Sequence, residues 1–143
     1  MSEPIRFHYN IDGEDFTSAG QASVQVKKML RQLDFDAETI RRVSVAMYEG
    51  EINMVIHANG GAADIVVWDE KIEVILADTG PGIPDISLAM QEGFSTAKEN
   101  IRSLGFGAGM GLPNMKRYTN TMEIESEVGK GTKITMRVNL DEA

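Results

Sequence analysis

Three polar residues recur at four-residue intervals in the first half of the 143-residue chain: Glu49, Asn53 and His57. Residues four apart share one face of an α-helix, so these side chains would lie in a row. An amide oxygen suits a hard cation such as Mg²⁺, and a carboxylate beside it can orient or deprotonate an attacking hydroxyl. The row therefore indicates phosphoryl chemistry, although a solvated helix face has the same pattern.

Two glycine clusters follow that helix. Residues 78–82 read Asp-Thr-Gly-Pro-Gly, and residues 105–111 have glycine at every other position. Glycine lets a ligand approach the backbone closely, and the amides that begin a following helix bind phosphate. Asp78 can accept a hydrogen bond from the exocyclic amine of adenine, where guanine presents a carbonyl. The clusters together indicate a purine nucleotide site, although Asp, Pro and Gly are also ordinary turn residues.

Other nucleotide motifs do not fit the second cluster. A dinucleotide fingerprint needs a strand immediately before it and a crossover to a parallel strand after it, but residues 79–109 form a glycine- and proline-rich segment instead. A Walker-type Gly-Lys-Ser/Thr is also missing. A flexible linker is disfavoured because Phe106, Met110 and Leu112 are interleaved with the glycines.

Several single residues lie beside these motifs. Lys98, between the clusters, and Lys116, after the second one, could reach a phosphate, although isolated lysines are usually solvated. Gly131-Thr132 closes a hairpin-like turn, and the Thr132 hydroxyl could lie near adenine.

The alternation and helical spacing of apolar residues predict the elements that must position these groups. Strands are predicted at 5–11, 64–69, 72–77, 122–127 and 133–138, and helices from a Ser18 cap to about residue 33, at 37–57 and at 110–118. Asn59-Gly60-Gly61 is expected to end the second helix, and residues 79–109 are expected to form a lid. This order predicts a single α/β domain spanning residues 1–143, a two-layer sandwich with a mixed sheet and helices on one face.

Composition excludes several classes of function. The chain is 42% apolar and 25% charged, as in soluble domains, and it has no cysteine for disulfides or thiolate chemistry. Its net charge of -8 disfavours nucleic acid and anionic membranes as partners. No transmembrane run or signal peptide is expected, so a cytoplasmic location is predicted.

Four motifs occur in order along the chain: Glu49-x-x-x-Asn53-x-x-x-His57, Asp78-x-Gly80-x-Gly82, Gly107-x-Gly109-x-Gly111 and Gly131-Thr132. This order resembles the ATPase superfamily of histidine kinases, gyrase B, Hsp90 and MutL, known as GHKL or Bergerat-fold ATPases. The resemblance runs from about residue 43 to residue 138. Within that superfamily the chain looks most like the small anti-sigma factor and switch serine-kinase branch.

The resemblance implies a role for each motif. Asn53 would bind Mg²⁺, and Glu49 would act as general base or orient the attacking hydroxyl. Asp78 would contact adenine, with Thr132 assisting through water. The residues implied in nucleotide binding are Asn53, His57, Asp78, Gly80, Gly82, Lys98, Gly105, Gly107, Ala108, Gly109, Met110, Gly111, Leu112 and Thr132.

The resemblance also implies an activity: a Mg-ATP-dependent serine/threonine protein kinase that phosphorylates a small STAS-type antagonist or scaffold protein. A sigma factor and a second copy of the chain are further expected partners. Arg31, Arg41 and Arg42 are the candidates for holding a sigma factor. Two alternatives stay open: an ATP-dependent anti-sigma or regulator-binding module with little kinase activity, and a stand-alone histidine kinase catalytic domain acting in trans.

Overall fold

The computed structural model describes residues 3–12, 20–57, 60–80, 82, 90 and 111–140, with the side chains of residues 12, 56, 57 and 111 excepted. The elements in these ranges are β1 (Ile5–Asp12), α1 (Gln21–Gln32), α2 (Ala37–His57), β2 (Gly60–Val67), β3 (Lys71–Asp78), α3 (Gly111–Arg117), β4 (Thr121–Glu127) and β5 (Gly131–Asn139). The order of strands and helices agrees with the one predicted from apolar spacing.

The five strands form one sheet in the order β1-β2-β3-β5-β4. Every pair of neighbours in that sheet is antiparallel. The short β2–β3 and β4–β5 connections are hairpins, which can only join antiparallel strands. The predicted two-layer α/β sandwich is confirmed, and the pairing between the described strands narrows the mixed sheet to an antiparallel one.

The core lies between the helices and one face of the sheet. Because strand residues alternate between faces, every second residue of β3 is buried, from Ile72 to Leu76. These side chains join a single apolar cluster with residues of α1 and α2, including Leu30 and Met47, which are fully buried. The other face of the sheet carries charged pairs such as Arg137 with Glu73, whose Nε and Oε2 are 2.8 Å apart.

Gly50 allows α2 to pack closely on the sheet. A Cβ built on Gly50 would overlap the Leu76 side chain of β3. The α2 backbone therefore approaches the strand that ends at Asp78. Glu49 is the residue immediately before Gly50 on this helix.

The buried carboxylate of Glu51 caps α1 from another helix. It accepts hydrogen bonds from the backbone N of Ala22 (3.1 Å) and of Ser23 (2.9 Å), and from the Ser23 hydroxyl (2.6 Å). The N-cap position is Gly20, at φ 99°, which has no side chain to do this. The predicted cap, Ser18, lies outside the described residues, and the predicted capping position was wrong.

Replacing Glu51 with glutamine is expected to destabilise the fold by about 1.5–3 kcal/mol, the range for hydrogen bonds to a charged group. The substituted amide keeps one acceptor oxygen but turns a donor toward the start of α1, whose N–H groups need acceptors. Urea unfolding measures the loss. The matched control is Glu38→Gln, an exposed residue in the first turn of α2, which should change stability by less than about 0.5 kcal/mol. Equal stability of the two variants would contradict the capping role.

The glycines after α2 have a different role from the predicted one. The helix ends at His57, but Gly60 and Gly61 begin β2, four residues before the predicted start, and pair with Asp12 and Ile11 of β1. Gly60 has a φ of 102°, and a Cβ on Gly61 would lie 2.5 Å from the carbonyl oxygen of Ala77. The two glycines therefore allow the close strand pairing at the start of β2 more than they end the helix.

In the part of the chain that the structure describes, the helices are too short or too polar to cross a membrane.

Candidate functional site

Asp78 is held at the edge of the sheet by two backbone donors. It ends β3 opposite Thr132 of β5, and its Oδ1 accepts hydrogen bonds from the backbone N of Gly80 (3.0 Å) and of Thr132 (3.2 Å). Within the described ranges, no hydrogen bond engages Oδ2. The carboxylate is thus oriented by one oxygen and keeps the other as an acceptor for a ligand.

Two glycines of the predicted motifs let backbone segments meet beside Asp78. Gly82 has a φ of 81°, and a Cβ there would lie 2.5 Å from the carbonyl oxygen of Glu127. Gly131 has a φ of 127°, and a Cβ there would overlap the carbonyl oxygen of Asp78. Both conformations strongly favour glycine. The contacts join the β4–β5 hairpin to the chain that leaves β3.

The hydroxyl of Thr132 is also engaged within this hairpin. Its Oγ1 lies 3.0 Å from the Oγ of Ser126, which donates to the carbonyl oxygen of Gly131 at 3.2 Å. Thr132 is only 8% exposed. An open cavity of about 330 Å³ reaches Asp78, Ser126 and Thr132 and extends to the charged side chains of the hairpin. The predicted contact of Thr132 with adenine stays a prediction.

Glu49 and Asn53 lie one turn apart on α2, and both side chains are half-buried. Burial raises the pKa of the Glu49 carboxyl, and a hydrogen bond from Asn114 opposes that rise. The Nδ2 of Asn114, on α3, donates to Oε1 of Glu49 at 3.4 Å. A partly desolvated carboxylate with an elevated pKa is a better proton acceptor near neutral pH than an ordinary surface glutamate.

The amide side chain of Asn53 on α2 is suited to Mg²⁺ that a nucleotide would bring. Among the described residues, His, Asp and Glu form no cluster of three that could hold a metal ion by itself. Mg²⁺ usually keeps several waters and binds through one or two protein oxygens plus substrate phosphates. The amide oxygen of Asn53, on the same face of α2 as Glu49, is a ligand of that kind.

Helix α3 is fixed at both ends. Leu112 and Met115 are buried in the core. At its C-terminal end, Arg42 of α2 donates from Nε to the carbonyl oxygen of Tyr118 and from Nη2 to Oδ1 of Asn120, both at 3.1 Å. The helix that carries Asn114 therefore has little freedom to move relative to α2.

The contacts at the end of α3 also involve two of the three arginines that were candidates for holding a sigma factor. The guanidinium of Arg41 lies 5.0 Å from the centroid of the Tyr118 ring, and its Nη2 donates to the Tyr118 hydroxyl at 3.1 Å. Arg41 and Arg42 thus both bind the end of α3. Arg31, in the last turn of α1, is exposed.

Part of the predicted site lies outside the described residues: Lys98, Gly105, Gly107, Ala108, Gly109 and Met110. His57 and Gly111 are described for their backbones alone. Sequence reasoning missed Asn114, whose only signal was its place beside Leu112 and Met115 in a predicted helix. It also missed Glu51, which lies two positions from Glu49 and hence on a different side of α2.

A family profile matches most of the chain. The family is described as histidine kinase-, DNA gyrase B- and HSP90-like ATPases, and residues 38–142 match it. The chain belongs to this family. Membership of this family assigns the chain as an ATP-binding domain, as the order of the four motifs predicted.

Curated relatives narrow the branch of this family. The chain is 35% identical over 120 residues to an anti-sigma F factor of Caldanaerobacter subterraneus, covering 80% of each protein. It is 32% identical over 124 residues to the serine/threonine-protein kinase RsbT of Bacillus subtilis, covering 84% of this chain and 85% of RsbT. These relatives confirm the resemblance to the anti-sigma factor and switch-kinase branch.

Solved structures agree on the fold. The RsbU and RsbW domains of Rv1364c from Mycobacterium tuberculosis superpose with a TM-score of 0.63 and 16% identity, over 94% of this chain and 31% of that one. A mycobacterial sensor histidine kinase, MprB, superposes with a TM-score of 0.53 and 16% identity, over 94% of this chain and 97% of that one. At this identity the similarity shows the fold alone.

Proposed function

We propose that the chain is a Mg-ATP-dependent serine/threonine protein kinase that phosphorylates a small STAS-type antagonist or scaffold protein in a partner-switching pathway. The observation that carries the proposal is the half-buried Glu49, one turn from Asn53 and hydrogen-bonded by Asn114. The similarity to a protein named serine/threonine-protein kinase supports it. We also propose that the protein acts in the cytoplasm.

In the proposed reaction, Glu49 accepts the proton of a serine or threonine hydroxyl on the partner. The hydroxyl oxygen forms a bond to the γ-phosphorus as the bond between that phosphorus and the β,γ-bridging oxygen breaks, and ADP leaves with the bonding electron pair. Bound Mg²⁺ would neutralise charge on the phosphate oxygens. Phosphoryl transfer depends mostly on positioning, so a base held between two packed helices suits it.

Asp78 is proposed to select adenine through Oδ2. The oxygen that already accepts two backbone N–H groups fixes the carboxylate plane, so Oδ2 presents an acceptor in one direction. The exocyclic amine of adenine is a donor and matches it. The carbonyl of guanine at the equivalent position is an acceptor and would face the carboxylate unfavourably.

The isosteric change Asp78→Asn tests this selection. Asparagine retains Oδ1 for the backbone donors of Gly80 and Thr132 but replaces Oδ2 with an NH₂ donor. ATP affinity should fall about 10- to 100-fold, the worth of a hydrogen bond to a charged group, while the preference for ATP over GTP narrows. Calorimetric titration with each nucleotide in Mg²⁺ measures both quantities. An unchanged ratio of ATP to GTP affinity would overturn the assignment of Asp78 to the base.

A regulator-binding role is the second candidate, because the chain is similar to an anti-sigma F factor. Here ATP would act as a conformational ligand and a sigma factor would be the partner. ATP-dependent complex formation without covalent labelling of the partner would favour this role over the kinase. A stand-alone histidine kinase domain would instead leave an acid-labile phosphate on its acceptor.

A further inference from the structure

Asn114 connects α3 to α2 at the position of Glu49, the proposed base. Its Nδ2 donates to Oε1 of Glu49 at 3.4 Å, across 65 positions of chain. Both side chains are half-buried between α2 and α3. The bond is long, as catalytic hydrogen bonds often are before substrate binds.

The amide of Asn114 also has a hydrogen-bond partner on its own helix. Its Oδ1 accepts from Nη1 of Arg117, one turn along α3, at 3.5 Å. With the carbonyl oxygen turned toward that guanidinium, the NH₂ group is turned toward Glu49. Since Met115 is fully buried and Arg42 binds the chain just after α3, the helix presents a preorganised donor.

Among the described residues a single donor engages the Glu49 carboxylate, at Oε1, so the other oxygen is proposed to receive an incoming hydroxyl. The hydrogen bond from Asn114 also opposes the effect of burial, which raises the pKa of the Glu49 carboxyl. The charged side chains of α3 are Lys116 and Arg117, and both are exposed. Glu51, on α2 itself, is occupied by the start of α1. Among the described residues of α3, Asn114 is the one in hydrogen-bond contact with Glu49, and Asn53 lies one turn away on α2.

We propose that Asn114 is a positioning residue, which orients the Glu49 carboxylate and ties it to the helix that begins at Gly111. That glycine is the last one of the expected phosphate loop, three residues before Asn114. This inference rests on the proposed function, because it takes Glu49 as the base.

The test compares Asn114→Ala, which deletes the donor, with the isosteric Asn114→Asp, which replaces it with a like charge. The control is Asn139→Ala, an exposed asparagine at the end of β5. Loss of the donor should lower kcat about tenfold with the KM for ATP within twofold. The acid limb of the pH–rate profile should move to higher pH, further for the aspartate than for the alanine.

A carboxyl titration separates this inference from the proposed function. With ¹³C-labelled glutamate, the pKa of Glu49 should rise in both variants and stay unchanged in Asn139→Ala, whether or not a phosphate acceptor is present. If the wild-type chain transfers no phosphate yet this pKa rises, the hydrogen bond stands and the kinase proposal falls. If Glu49 titrates as in the wild type in both variants, or kcat is unchanged, the positioning role is overturned.

Discussion

Glu49→Gln should slow phosphoryl transfer to the partner about 10²- to 10⁴-fold, the usual contribution of a general base. Glutamine has nearly the same shape and can still accept the hydrogen bond from Asn114, but it cannot take a proton. Nucleotide binding depends on other groups, so ATP affinity should stay within about threefold of the wild type. The expected signature is a fall in kcat at an almost constant KM for ATP.

Single-turnover transfer of γ-labelled phosphate, combined with calorimetric ATP titration, measures both quantities. The control is Glu38→Gln, an exposed residue at the other end of α2. In the wild type, burial raises the pKa of Glu49, so activity should be lost as the pH falls through a value above that of an ordinary glutamate. Wild-type kcat in Glu49→Gln would show that another group removes the proton.

Gly131→Ala should cost about 2–5 kcal/mol of unfolding free energy, from backbone strain together with a forced displacement. Gly131 has a φ of 127°, and a new Cβ would overlap the carbonyl oxygen of Asp78. Backbone cannot rotate away as a side chain can, so β3 and β5 must separate at this point. Since Thr132 N holds Oδ1 of Asp78, ATP affinity should fall together with stability.

The same hairpin offers a matched control in Gly129→Ala. Gly129 also has a positive φ, 83°, but a Cβ there would meet nothing within 4 Å. It should cost only about 1–2 kcal/mol, the penalty for placing alanine in the left-handed region. Chemical unfolding of both variants isolates the steric part. If the two losses are equal, the contact between Gly131 and Asp78 has no energetic importance.

Local patterns were sufficient to predict most of the fold. The alternation in β3 and the helical spacing in α2 depend only on neighbouring residues, and both elements end within one residue of their predicted ends. The start of β2 was harder to predict from the sequence. Gly60 and Gly61 are helix-ending residues by type, but their pairing with β1, almost 50 positions earlier, decides their conformation.

The candidate site was predictable from the sequence only where its residues share a motif. Glu49, Asn53 and Asp78 follow from spacing and residue type. Asn114 does not, because its contact with Glu49 depends on how α3 packs on α2. Gly82 was expected near a nucleotide and Gly131 in a hairpin-like turn, and the closest described contacts of both are carbonyl groups of the chain itself. Sequence indicates that glycine is required, whereas packing shows which backbone it faces.

The central claim is that this chain transfers phosphate to a protein hydroxyl, and one measurement tests it directly. The wild-type chain is incubated with γ-³²P-ATP, Mg²⁺ and STAS-domain proteins from the same genome, and the labelled products are treated with acid. The account predicts acid-stable label on serine or threonine of one such protein, and no label with Glu49→Gln. An ATP-dependent complex that never becomes labelled, or a label removed by acid, would contradict it.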